Sequence, residues 1–277
     1  MQRSEIGWTG KSCNPIRLLK EDGTLGGHWC KKISPGCTHC YAEAINNNPY
    51  FSFASMLPYT GEPPPLELDR KLLLSWTRAR KSELVFVGSM TDVFGDWVPQ
   101  EWHFEIFRAA AKSKLVFQFL TKRPLFMFQS VHNWQKADQI DSIPPNFWWG
   151  ATVETANYKF RLDYLREIPG PVRFVSFEPL LNDLGALDLS GIEWAILGGE
   201  SKSTFHPNPR PFHIEWCDRA IKQCQVADVR VYFKQLGHNV YAGGNKLKVK
   251  GKGVDLDQIP PHLQLREWPI DLAALKR

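Results

Sequence analysis

Six short, mostly apolar runs, each followed at once by polar or charged residues, set the strongest limit on what this chain can fold into. They are Leu84–Gly88, Leu115–Leu120, Phe147–Ala151, Val172–Val175, Trp194–Leu197 and Val229–Phe233. Runs this short, with no regular apolar–polar alternation, suit strands covered on both faces, as in a parallel sheet. Between them lie stretches with helical periodicity, such as Glu101–Lys112, Tyr158–Glu167 and Phe212–Val226. Strand and helix in alternation imply right-handed βαβ units. With one more strand near the N-terminus, the expected fold is α/β: a partial or full (β/α) barrel of mainly parallel strands. A doubly wound open sheet is the alternative.

The rhythm stops after Gly237, which predicts a barrel-like domain over residues 1–240 and a C-terminal extension over 241–277. The extension holds lysines at 246, 248, 250 and 252, a Pro260-Pro261 break and a short amphipathic end from Leu272 to Leu275. On a strand those lysines share one face, which fits a hairpin edge protected by charge, or a contact with a nucleic-acid backbone. A hydrophobic content of 43% with 23% charged residues is that of a globular chain, and the net charge of +5 permits an anionic partner without demanding one. The first ten residues contain no apolar signal region, and no stretch has the length of a membrane span, so a cytoplasmic protein without membrane contact is expected. The oligomeric state is left open by the sequence.

Before the first of the six runs stands Cys30-Lys-Lys-Ile-Ser-Pro-Gly-Cys37-Thr-His-Cys40-Tyr41. Pro35 and Gly36 let the chain turn back so that the three cysteines can face one centre. Three close cysteines can hold a four-iron cluster while leaving one iron without a protein ligand, open to a small molecule. A zinc knuckle completed by His28 or His39 is the other reading, although the chain has no second Cys-x2-Cys or His-x3-His pair. Cys13 stands alone, as a spare ligand or a partly buried thiol, and Cys217 and Cys224 fall on the apolar face of a predicted helix.

Polar residues collect directly after the runs, the end of a (β/α) barrel that carries its chemistry. Ser89, Thr91 and Asp92 follow the first run, Lys122 and Arg123 the second, Thr152 and Glu154 the third. Ser176 and Glu178, then Gly198-Gly199-Glu200, then Lys234 follow the remaining three. The serines and threonines suit helix caps as well as a site. The charged residues need partners or a solvated pocket at a sheet end. Gly198 and Gly199 would let main-chain amides approach a ligand while Glu200 accepts hydrogen bonds, and Lys122-Arg123 could clamp a phosphate or carboxylate.

The cysteine run resembles the hallmark of the three-Cys-motif phage-protein family. The likeness continues through Val87-Gly88-Ser89-Met90-Thr91-Asp92, Leu120-Thr121-Lys122-Arg123-Pro124, Ser176-Phe177-Glu178-Pro179-Leu180-Leu181, Gly198-Gly199-Glu200-Ser201 and Phe233-Lys234-Gln235, in order from Trp8 to Gly237. That family looks like a distant branch of the radical S-adenosylmethionine (SAM) enzymes. The resemblance implies that Cys30, Cys37 and Cys40 bind a [4Fe-4S] cluster whose free iron chelates SAM. Reductive cleavage of SAM would then yield a 5′-deoxyadenosyl radical that abstracts hydrogen from a substrate. The chain departs from the usual radical SAM pattern in its six residues between Cys30 and Cys37, in His39 before the last cysteine, and in a Gly-Gly-Glu that follows a late strand.

On this reading Gly198, Gly199 and Glu200 contact SAM, and Ser89, Asp92, Glu154, Glu178, Lys122, Arg123 and Lys234 contact SAM or substrate. An electron donor of flavodoxin or ferredoxin type is implied. A nucleic-acid base is the expected substrate class, from mild basicity, aromatic richness and the phage association. The competing expectation is a protein without catalysis, whose zinc or iron–sulfur centre staples a loop for binding nucleic acid or protein.

Overall fold

A computed structural model of the chain describes residues 1–51 and 53–271. In chain order the elements are β1 (Gln2–Arg3), β2 (Lys11–Cys13), β3 (Ile16–Leu18), α1 (Tyr41–Asn46), β4 (Leu66–Leu68), α2 (Arg70–Thr77), β5 (Leu84–Val87), α3 (Gln100–Ala111), β6 (Val116–Thr121) and α4 (Pro124–Asp138). They continue with β7 (Phe147–Thr152), α5 (Arg161–Arg166), β8 (Val172–Phe177), β9 (Trp194–Gly198), β10 (Phe212–His213), α6 (Ile214–Val226), β11 (Arg230–Gln235), β12 (Val240–Ala242) and β13 (Asn245–Leu247). One eight-stranded sheet has the order β1-β2-β5-β6-β7-β8-β9-β11. Only β1 runs antiparallel to its neighbour; from β2 to β11 every pairing is parallel.

Because strand side chains alternate between faces, neighbouring residues go to different cores. Val85, Phe117, Trp149, Val175 and Leu197 point toward α2–α6, against Trp76, Phe107, Met127, Leu165 and Cys224. Phe86, Trp148, Phe174, Trp194 and Tyr232 point the other way and form a second cluster with Trp8. Trp8 lies 4.9 Å from the Phe86 ring, 6.2 Å from Phe174 and 6.3 Å from Trp194. Those rings come from β5, β8 and β9, so one indole can touch all three only if the sheet curls around it. The result is a half-barrel, with helices outside and an aromatic floor inside.

Each of the six apolar runs is a strand of this curled parallel sheet, as expected. Of the expected helices, Tyr158–Glu167 differs. A 3-10 turn at Ala156–Tyr158 precedes a shorter α5, whose first residue, Arg161, turns inward to Glu154 and the Thr152 carbonyl. Helix α4 starts at Pro124, at a position where a missing N–H costs nothing. Residues 245–247 pair with 240–242 as a hairpin. The chain beyond it lies along the free edge of β11: Phe233 N–H donates to Leu265 O, Glu267 N–H to Val231 O, and Trp268 stacks on Trp194 at 5.1 Å. The amphipathic end expected at Leu272–Leu275 lies outside the described residues. Among those described, no helix is long and apolar enough to cross a membrane.

Since Trp8 joins three strands, we expect Trp8→Ala to cost about 3–5 kcal/mol, the range for removing a buried large aromatic ring. Urea unfolding measures this, and a loss below about 1 kcal/mol would mean that the floor closes without the indole.

Candidate functional site

The register sets the interior in layers. Above Trp148, Phe174 and Trp194, the register aligns Thr152, Ser176 and Ile196 across β7, β8 and β9, level with Tyr232 on β11. Thr152 and Ser176 are buried there. One step further along the same face, at or just beyond the strand ends, come Lys122, Glu154, Glu178, Glu200 and Lys234. The charged residues expected to form a site thus converge on the mouth of the half-barrel.

The cysteine loop runs over this mouth. The chain leaves β2, enters the antiparallel β3–β4 pair, and within that excursion makes a 3-10 turn at Pro35–Cys37 before Cys40 caps α1. At its base Asn46, fully buried, accepts the His28 N–H through its side-chain oxygen and donates to the His28 carbonyl. Trp29 is buried beneath the loop, and its carbonyl accepts the Thr91 hydroxyl.

Three carboxylate–arginine pairs, from the ends of three strands, then hold the loop. After β7, Glu154 Oε1 accepts the Ser34 hydroxyl and the Gly36 N–H (3.2 Å), while Oε2 accepts from Arg161 at 2.7 Å. Glu154 and Arg161 are at most 1% exposed. A Cβ on Gly36 would come within 2.9 Å of Glu154 Oε1, so this approach needs glycine. After β9, Glu200 accepts from His39 Nδ1 (2.8 Å) and from the Arg210 N–H (2.8 Å) and guanidinium. Arg210 in turn donates to the Pro35 carbonyl at 2.7 Å. After β5, Asp92 accepts from the Thr121 hydroxyl (2.7 Å), the Lys122 N–H (3.1 Å) and Arg123 (3.3 Å). Arg123 reaches Lys31 O at 2.8 Å, and the Asp92 N–H donates to Cys30 Sγ at 3.4 Å.

Burial pushes the Glu154 carboxyl upward, but the positive charges of Lys122 and Arg161 and the Ser34 hydrogen bond outweigh it and leave its pKa low. Glu200 is likewise driven up by burial and brought below its ordinary value by Arg210 and His39. Burial pushes the Cys30 thiol up to about 12, and the Asp92 carboxylate adds to the rise. Burial also raises Cys40, against the nearby amides and Lys122. A metal would therefore displace protons from both thiols.

Cys30, Cys37 and Cys40 are all free thiols, and Cys40 lies within electrostatic reach of each of the other two. Among the described residues, no group of three or more His, Cys, Asp or Glu side chains converges so as to hold a single metal ion. Tetrahedral zinc needs ligand atoms about 2.0–2.3 Å from one point, whereas a four-iron cluster spreads its thiolates over separate irons. Three thiols, one with an N–H on its sulfur, are a donor set that either kind of centre could use. Of the histidines offered as a fourth zinc ligand, His28 is buried with Nδ1 facing the Ile16 carbonyl at 3.2 Å, and His39 Nδ1 bonds Glu200, each contact leaving Nε2 uncommitted. Cys13 points into the helix-side core, away from the loop, as do Cys217 and Cys224.

The remaining expected site residues divide. Glu178 pairs with Lys234 at 3.1 Å and lies over Gly198, whose added Cβ would meet Glu178 Oε1 at 2.7 Å. Ser89 meets Asn14 at 3.1 Å, and its carbonyl accepts the Tyr41 hydroxyl. Gly199 allows close approach to a neighbouring strand end: its N–H donates to Gln235 O, and an added Cβ would lie 2.1 Å from Leu236 O. Ser34, Arg161 and Arg210 were not singled out by sequence. Arg210 gives no local signal in its Pro-Asn-Pro-Arg-Pro setting, whereas Ser34 could have been noticed from its place inside the cysteine run. Two surface clefts lie elsewhere: one of about 380 Å³ around His103 and Ser130, and one of about 340 Å³ lined by Lys32, α1 residues and His206.

The chain belongs to the family described as a protein of unknown function (DUF5131), which matches residues 3–260. That span takes in the whole parallel sheet and the cysteine loop and ends before the strip that covers β11. No curated protein and no solved structure shows significant similarity to the chain.

Two outcomes follow from the clamps. Glu154→Leu strands the buried Arg161 charge and should cost about 3–5 kcal/mol, while Glu154→Leu with Arg161→Met should regain most of that. In both variants the Gly36 amide should lose hydrogen-exchange protection; retained protection would show that Glu154 does not anchor the loop. The low pKa values of Glu154 and Glu200 mean that the folded state binds fewer protons there than the unfolded chain. Their contribution is present above the ordinary carboxylate range and is lost as pH falls. Melting temperature should therefore drop between about pH 6 and about pH 3, less steeply in Glu200→Gln. Equal slopes would remove Glu200 from the acid-sensitive set.

Proposed function

We propose that this protein is a radical SAM-like iron–sulfur enzyme, with Cys30, Cys37 and Cys40 as the cluster ligands. The observation that carries this reading is the cysteine loop, clamped from three strand ends over the mouth of a curled parallel sheet, with charged side chains facing it from below. Cys30, Cys37 and Cys40 would hold a four-iron cluster with one open iron which, once reduced by an external electron donor, would supply one-electron chemistry toward SAM. The chain's own residues position and enclose. Asp92, Glu154 and Glu200, with their arginines, fix the loop; the aromatic floor excludes water from beneath; Lys122 and the Glu178–Lys234 pair face the space between. Glu200 is therefore a loop-holding residue in this proposal, and Lys122, Glu178 and Lys234 are the candidates for touching SAM or substrate.

A nucleic-acid base remains the proposed substrate class. It is supported by the +5 net charge and by exposed rings, including Tyr41 at the start of α1 and Tyr50, Phe160 and Phe205. A cytoplasmic setting, where thiols stay reduced, and an electron donor of flavodoxin or ferredoxin type belong to the same proposal.

Anaerobic reconstitution tests it. Wild-type protein should become brown, and with SAM and a reductant it should release 5′-deoxyadenosine. Cys30→Ala, Cys37→Ala and Cys40→Ala should each lose most of the iron, whereas Cys13→Ala and Cys217→Ala, altered in the helix-side core, should keep it. A colourless protein carrying zinc would support a metal-stapled binding protein instead.

A further inference from the structure

The charges at the mouth of the half-barrel are not equivalent. Glu154 is engaged by Arg161, Ser34 and Gly36, and Glu200 by Arg210 and His39. Glu178 and Lys234 neutralise each other at 3.1 Å. Arg123, which adjoins Lys122 in sequence and could share a clamp with it, is turned away: it bonds Asp92 and the Lys31 carbonyl and lies over the Trp97 ring at 4.6 Å. Lys122 gives its main-chain N–H to Asp92, but among the described residues its ammonium has no hydrogen bond and no ion pair. The side chain is half-buried and continues the β6 face that carries Gln118 and Leu120 into the interior. Thr121 pairs with Ala151, so Lys122 lies beside the end of β7 that leads to Glu154, whose carboxylate holds the cysteine loop.

A half-buried ammonium without a partner, among carboxylates that are already paired, is a receptor for an incoming anion. We propose that Lys122 is the anion-recognition residue of the concave face, taking the carboxylate or phosphate of a small molecule seated between the cysteine loop and the sheet. The location rests on the proposed function; the need for an anion rests on the charge pattern alone. Two sources offer that chemistry: the methionyl carboxylate of SAM, and the phosphate of a nucleotide.

Anaerobically reconstituted full-length protein, studied by calorimetry with two matched pairs of probes, separates them. One pair is SAM and decarboxylated SAM; the other is adenosine 5′-monophosphate and adenosine. Wild type should prefer the member of one pair that carries the carboxylate or phosphate, and Lys122→Met should reduce affinity for that member about ten- to a hundredfold while leaving the counterpart without that group unchanged. Lys122→Arg, which keeps a cation, should restore the preference and serves if the methionine variant folds poorly. Loss confined to SAM assigns the carboxylate. Loss confined to the monophosphate assigns the phosphate, and it stands even if wild type fails to bind SAM, in which case the SAM reading fails alone. Equal weakening of the members with and without the carboxylate or phosphate, or no preference by wild type in either pair, overturns the proposal.

Discussion

The curl of the parallel sheet around Trp8 is the constraint on which the rest of the structure depends. In a flat sheet the strand ends from β5 to β11 would form a line, and no single loop could meet the first and the last. Here one indole packs against rings from β5, β8 and β9, and its main-chain carbonyl accepts the Gln118 side chain from β6. The floor fixes the curvature and the curvature gathers the strand ends. Two-residue alternation then decides which side chains are gathered. Glu154 and Glu178 share the interior face with Trp148 and Phe174, while Trp149 and Val175 go to the helices.

The cysteine loop has little of its own to hold it. It contains one short 3-10 turn, and ordering so irregular a segment costs conformational entropy at every residue. Carboxylate–arginine pairs meet that need in a particular way. Each carboxylate offers several acceptor sites, so it can bind its arginine and still hold a hydroxyl, an amide or an imidazole. A buried ion pair adds little net stability compared with apolar packing, but its geometry is demanding. What these pairs contribute is position: residues Cys30 to His39 are fixed relative to three strands at once, as a preorganised site requires.

The strands and the convergence of charges at their ends were legible in the sequence, because both rest on local pattern: short apolar runs followed by polar residues. The roles of the charges were not. Glu200 reads as a ligand contact after two glycines, yet its carboxylate is filled by His39 and by Arg210, a residue ten positions away in an irregular loop. Gly199 reads as room for a ligand, and it is room for the β11 connection. Lys122 and Arg123 read as one clamp, but a residue at a strand end and its neighbour point to opposite sides. Partners separated by more than a hundred residues, such as Ser34 and Glu154, carry no signal in a single sequence.

Charge balance links the clamps to the thiols they surround. Asp92 acts on Cys30 in two opposing ways: its amide places a proton near the sulfur, and its carboxylate makes a negative sulfur harder to form. Arg123 offsets the second effect. Glu154 and Glu200 are balanced in the same manner by Arg161 and Arg210, so three carboxylates approach the cysteine loop as three locally neutral pairs. A loop held by unpaired carboxylates would repel thiolates, and one held by arginines alone would draw in any anion. Paired anchors fix the loop without imposing a net field upon it. The charge on Lys122 also steadies the ionised Glu154, yet among the described residues it has no ion pair of its own.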